Sequence, residues 1–114
     1  MKTQLQKAIY QDKVYLDADL NLSMLAKQIG VNDSVLSAVI NEAFKQNFRN
    51  FINERRVEEV KQKLTDPAYK HLSILGIALE SGFNSEASFY RVFKTITGTS
   101  PKDFLHKNNS QNAF

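Results

Sequence analysis

The sequence predicts an all-α fold. Three observations carry this. Breakers are scarce, with 4 Gly and 2 Pro in 114 residues, too few to punctuate a fold of short strands and turns. Apolar residues recur along most of the chain at the spacing of one helix face. Short polar residues suited to open a helix are followed, a helix length later, by a glycine suited to close it: Asn21 with Gly30, and Ser73 with Gly82.

Taken in order, Leu5, Ile9 and Val14 stand at near-helical spacing and predict a first helix over 3–11. Residues 15–20 read as a loop laid over the core by Tyr15, Leu16 and Leu20. Asn21 caps a short helix running through Gln28, with Leu22, Leu25, Ala26 and Ile29 inward, and Gly30 ends it. Val31, Asn32 and Asp33 make a turn. A third helix follows over 34–45, with Leu36, Val39, Ile40 and Ala43 inward.

The longest uninterrupted stretch is Phe48–Leu64. Phe48, Phe51, Ile52, Val57, Val60 and Leu64 give it a broad apolar face. Arg49, Glu54, Arg55, Glu58, Glu59, Lys61 and Lys63 cover the rest and are expected to form a solvated face laced with short-range ion pairs. Thr65, Asp66 and Pro67 stop this helix. After a connector over 68–72, Ser73 caps a helix over 74–81 that ends at Gly82. Ser85 then caps a helix over 85–97, whose apolar stripe is Phe89, Val92, Phe93 and Ile96. Gly98 and Pro101 mark a further turn and the start of one more helix, for about seven in all. The expected organisation is a first helix-turn-helix subdomain over 1–47, a linker helix over 48–65, a second subdomain over 66–107 and a disordered polar tail over 108–114.

Composition narrows the function classes. Hydrophobic residues are 42% and charged residues 24%, the balance of a folding domain. No apolar run of about 18 residues occurs, so nothing here spans a bilayer as a helix. Met1 and Lys2 lead into polar sequence rather than a signal-peptide apolar region. The absence of Cys excludes disulfides, thiolate metal sites and cysteine nucleophiles. His71 and His106 stand far apart with no carboxylate at ligand spacing, so neither a metal site nor a catalytic pair is expected. No glycine-rich phosphate loop or nucleophile motif is present, and an enzyme is not expected. The net charge of +3 permits nucleic-acid binding without requiring it.

The halves of the chain repeat. At an offset of 52, Asn21 matches Ser73, Leu22 matches Ile74, Leu25 matches Ile77, Ala26 matches Ala78 and Gly30 matches Gly82. Past the turn the offset becomes 53: Leu36 matches Phe89, Val39 matches Val92, Ile40 matches Phe93 and Phe51 matches Phe104. One extra residue in the second turn accounts for the change. Two copies are too few for a solenoid. Each copy is a short helix, a glycine turn and an amphipathic helix, which is a helix-turn-helix signal. Major-groove faces recur about every 34 Å along B-DNA. A linker helix of about 25 Å between two such units suits them to successive grooves, without a dimer or a palindromic site.

These residues resemble the DNA-binding domain of the arabinose-regulator (AraC/XylS-type) transcription factors. The most specific part is Ile77, Ala78, Gly82, Phe83, Ser88, Phe89, Arg91, Val92, Phe93, Lys94, Gly98, Ser100, Pro101 and Phe104; the first half agrees through Leu22, Leu25, Ala26, Gly30, Leu36 and Ser37, and the long helix through Phe51, Ile52, Asn53 and Arg56. The resemblance implies seven helices in two helix-turn-helix units joined by a long helix, and a transcription activator. By position, it implies that the first recognition helix presents Ser34, Ser37, Ala38 and Asn41 to bases, and the second Glu86, Ala87, Tyr90 and Arg91. The sequence departs from the family pattern at Ala38, where many members carry Arg; Ala38 offers only an apolar contact, of the kind a thymine methyl takes. It departs again at Leu105, where many members carry Arg after the aromatic residue.

Each of these residues has an ordinary alternative. Arg91 is the expected base reader, although a plain surface arginine gives the same pattern. Tyr90 stacks or touches phosphate, or else packs at the rim. Lys94, one turn on, is placed for a phosphate. Asn84 and Ser85 lie where a helix N-terminus holds a phosphate, yet capping alone explains Ser85. Glu86 accepts from a cytosine amine or only complements the helix dipole. Arg55 and Arg56 are expected in ion pairs on the long helix, with phosphate contact the alternative.

The expected partners are double-stranded DNA, RNA polymerase, and a sensor or dimerisation domain in a longer parent chain of which this is the C-terminal piece. No cofactor and no membrane contact are expected, and the expected location is the cytoplasm, with the parent soluble or membrane-anchored. The competing reading is a helical protein-interaction module descended from a helix-turn-helix domain, motivated by Ala38 and the modest charge.

Overall fold

The computed structural model describes the backbone of residues 2–112 and the side chains of 3–107. Among them are seven α-helices and no strand: α1 (Lys2–Gln6), α2 (Leu22–Ile29), α3 (Asp33–Phe44), α4 (Phe48–Leu64), α5 (Ile74–Glu80), α6 (Glu86–Thr97) and α7 (Pro101–Asn112). The chain divides into two compact units, Met1–Arg55 and Arg56–Phe114. The helix read from sequence as a linker gives its first two turns to one unit and the remainder to the other.

In the first unit, α1 continues into a π-helical turn, Lys7–Gln11, where the sequence predicts one plain helix. Lys13 then takes a left-handed conformation, φ 48°, and opens a 3-10 turn over Val14–Leu16. This turn seats Tyr15 in the core, with Leu16 and Leu20 packed against it. The core is Leu5, Ala8, Ile9, Tyr15, Leu25, Ala26, Leu36, Ile40, Phe51 and Ile52, all buried. Burying a Leu, Ile or Phe side chain in such a core contributes about 1.5–3 kcal/mol each. Ala43, expected inward, is exposed. The reason is the end of α3: Phe44 closes the helix, Lys45 turns left-handed at φ 55°, and the Phe44 ring goes to Phe51 at 4.6 Å. Lys45 is therefore a cap and not the last helical residue.

In the second unit the core is Val57, Val60, Ile77, Ala78, Phe83, Phe89 and Phe93, with Leu64, Tyr69, Leu72 and Phe104 packed against it. Its aromatic rings form a chain of contacts: Phe83 to Phe89 at 5.2 Å, Phe89 to Phe93 at 5.7 Å and Phe93 to Phe104 at 5.7 Å. The last two are edge-on, a geometry worth about 0.5–1.5 kcal/mol beyond burial. Because Phe104 packs on Phe93, Ile96 in the last turn of α6 is left 40% exposed, and the predicted apolar stripe stops one residue short. Asp66 accepts from Ala68 N–H at 2.9 Å and turns the chain into a 3-10 segment, Pro67–Tyr69.

One expectation for α4 is corrected. Glu59 and Lys63, assigned to a solvated face, are 7% and 8% exposed and form an ion pair at 3.3 Å. The second unit folds over this side of α4, as the Lys63 contacts with Glu80 and Tyr69 show. The backbone of 108–112 lies in α7. Ser100 opens that helix by accepting from Asp103 N–H at 3.1 Å. Residues 113–114 of the expected tail lie outside the described residues.

Candidate nucleic-acid interface

Each unit builds its turn from the same local bonds. In the first, Asn21 caps α2 by accepting from Met24 N–H at 2.9 Å, and Gly30 ends it at φ 82°. Val31 N–H donates to Ala26 C=O at 3.0 Å, and Asn32 caps α3 by accepting from Val35 N–H at 2.9 Å. In the second, Ser73 caps α5 by accepting from Gly76 N–H at 2.9 Å. Gly82 takes φ 105°, a region that side chains rarely enter. Phe83 N–H donates to Ala78 C=O at 3.1 Å, and Ser85 caps α6 by accepting from Ser88 N–H at 3.2 Å. Val31 thus corresponds to Phe83 and Asn32 to Ser85, which identifies Asn84 as the extra residue of the second turn.

The caps fix how the second helix of each pair is rotated. Leu36 and Ile40 in α3, and Phe89 and Phe93 in α6, are fully buried. The opposite face must then point to solvent. In α6 that face carries Glu86, Ala87, Tyr90, Arg91 and Lys94, all exposed, with Asn84 and Ser85 exposed just ahead of it. Tyr90 is 38% exposed, its ring resting beside Phe89 at 5.2 Å. The Arg91 carbonyl accepts from the Thr95 hydroxyl at 2.8 Å. The second unit therefore brings its expected residues onto one continuous surface holding two cations and one carboxylate.

In α3 the exposed face carries Ser34, Ala38 and Asn41, while Ser37 is half-buried. The hydroxyl of Ser23 in α2 donates to the Asp33 carboxylate at the start of α3, a side-chain tie across the turn. Counted from the caps, Ser34 stands where α6 has Ala87, Ala38 where it has Arg91, and Asn41 where it has Lys94.

Sequence reasoning missed two residues here. Asn32 is a helix cap and not merely part of a turn; its type signalled this, but Asp33 and Ser34 beside it carry the same signal. Val35 is 38% exposed and sits on the outer side of α3 beside Ala38. Its exposure follows from the cap at Asn32 together with the burial of Leu36 and Ile40. Arg55 stays within the first unit, 3.4 Å from the Tyr10 hydroxyl and over the Phe51 ring at 5.7 Å.

No described helix is long and apolar enough to cross a membrane. A family profile described as "Helix-turn-helix domain" matches residues 25–107. The chain is 38% identical over 92 residues to an uncharacterized HTH-type transcriptional regulator of Staphylococcus aureus (strain MSSA476), a match covering 81% of this chain and 12% of that relative. It is 27% identical over 88 residues to the melibiose operon regulatory protein of Escherichia coli (strain K12), covering 77% of this chain and 28% of that protein. Among solved structures it is similar to the C-terminal domain of the two-component response regulator yesN from Fusobacterium nucleatum, with TM-score 0.77, 26% identity, and 91% and 96% of the two chains covered. An AraC-type transcriptional regulator from Chromobacterium violaceum shares the fold, with TM-score 0.78, 19% identity, and 93% and 92% covered. The chain therefore belongs to the helix-turn-helix domain family, and within it to the AraC-type DNA-binding domains of transcriptional regulators.

Proposed function

We propose that this chain binds double-stranded DNA at specific sequences, with α3 and α6 as recognition helices in successive major grooves. The observation that carries the reading is the doubled helix pair, each helix opened by a side-chain cap and the second of each pair buried on one face and exposed on the other. In α6 that face is Ala87, Tyr90, Arg91 and Lys94, with Asn84, Ser85 and Glu86 at its N-terminal edge. Arg91 reads guanine through its O6 and N7 acceptors. Lys94 and the helix N-terminus at Asn84 and Ser85 hold phosphate. In α3, Ser34, Ser37, Ala38 and Asn41 face the bases.

Regulation of transcription in concert with RNA polymerase, under a sensor or dimerisation domain and in the cytoplasm, belongs to the same proposal. It is supported by the description of the relatives as transcriptional regulators and of a solved neighbour as the C-terminal domain of a response regulator. The family is one of DNA-binding regulators and not of enzymes.

The experiment is selection of binding sites from random duplexes, followed by fluorescence anisotropy of the selected duplex over a salt series. The expected result is a selected sequence bound with affinity that falls steeply as salt rises. Absence of binding at low salt, or binding indifferent to salt, sinks the proposal in favour of a protein-interaction module.

A further inference from the structure

The two recognition helices share length, a side-chain N-cap bond and burial pattern, yet their exposed faces differ in chemistry. From Asp33 to Phe44, α3 contains no Lys or Arg and carries two carboxylates, Asp33 and Glu42. Asp33 is tied to Ser23. Glu42 is exposed in the last turn of α3. The first half exposes Val35, 38% accessible, and Ala38, beside Asp33 and Ser34.

The major groove displays a single apolar group, the C5 methyl of thymine. An exposed valine on a recognition helix is suited to that group: its branched side chain is held near one χ1 rotamer, so little freedom is lost on contact. Ala38, one turn further along the same side, adds a second methyl with no side-chain entropy to lose. Asn41 completes the set, since its amide pairs in bidentate fashion with adenine N6 and N7. A guanine, by contrast, offers two acceptors, and α3 can meet them only with the hydroxyls of Ser34 and Ser37 and the Asn41 amide.

We propose that α3 reads an A·T-rich half-site through thymine methyl groups packed on Val35 and Ala38, while α6 reads the guanine-containing half through Arg91. This inference rests on the DNA-binding reading above and assigns the base class to each helix.

The test uses the duplex obtained by selection. Arg91→Ala identifies the half-site served by α6, as the half where discrimination is lost. In the other half, each thymine is replaced by deoxyuridine, which removes the methyl and leaves base pairing intact. Loss of one buried methyl contact corresponds to about a fourfold weakening. We expect that penalty at one or two positions, equal in size at about 50 and about 200 mM salt, because no phosphate contact is involved. The penalty should vanish in Val35→Ser/Ala38→Ser, a change confined to exposed positions and checked for folding by circular dichroism. Equal binding of the thymine and deoxyuridine duplexes overturns the inference while leaving DNA binding intact. So does selection of a guanine-rich sequence in that half, or a deoxyuridine penalty that persists in the double variant. Failure to select any sequence overturns the DNA-binding reading, and this inference with it.

Discussion

Lys63 Nζ lies 3.3 Å from Glu59 Oε2, one helical turn away on α4, with both side chains almost fully removed from solvent. The ammonium also donates to the Glu80 carbonyl at 3.3 Å and stands over the Tyr69 ring at 5.5 Å. It thus joins α4 to the C-terminal end of α5, where a helix dipole favours a cation, immediately before the turn that sets the direction of α6. Breaking a buried pair from one side costs about 3–5 kcal/mol, whereas replacing both partners with apolar residues of similar size is often near neutral. Lys63→Ala should therefore destabilise the chain by about 3 kcal/mol in urea unfolding, and Glu59→Leu/Lys63→Met by much less. Equal losses in the two variants would show that the site is limited by packing and not by charge.

The caps of α3 and α6 should be measurable separately. Asn32→Ala and Ser85→Ala each remove a side-chain acceptor from a first-turn N–H. Each should cost about 1 kcal/mol. Asn32→Ser should restore most of the loss, and a thermal melt of each variant provides the check. No difference between Asn32→Ala and Asn32→Ser would show that the side-chain acceptor contributes nothing.

Gly30 separates steric crowding from backbone strain. A Cβ added there meets nothing within 4 Å, but the residue sits at φ 82°. Gly30→Ala should cost about 1–2 kcal/mol, the price of a left-handed side-chain-bearing residue, and Gly30→Asn distinctly less. Chemical denaturation that ranks Asn no better than Ala would exclude strain as the cause.

Arg91 and Lys94 should behave differently toward DNA. Arg91→Ala should relax discrimination at one base position by about 1–3 kcal/mol. Lys94→Ala should weaken all sequences alike and lower the salt slope by about 1. Anisotropy titrations on the selected duplex and its single-base variants read both effects. A uniform loss for Arg91→Ala would reassign that residue to a phosphate.

Local chemistry determined most of the elements. Asn21, Ser73 and Ser85 cap helices as their types require, Gly30, Gly82 and Gly98 take positive φ, and α4 runs over Phe48–Leu64 as its uninterrupted pattern predicts. These are decisions made within a few residues, by capping bonds, side-chain freedom and helical period. The doubled unit was legible for the same reason, because each copy spells out the same local instructions.

The tertiary structure alone decided what covers each face. Glu59 and Lys63 became a buried pair, Ala43 and Ile96 stayed outside, and Val35 came to lie open beside Ala38. Helical period states which residues share a side, but burial depends on which distant segment packs over it. That is why the outer face of α6 was legible in the sequence, while the apolar part of α3's exposed side emerged only once its cap and its buried partners were in place.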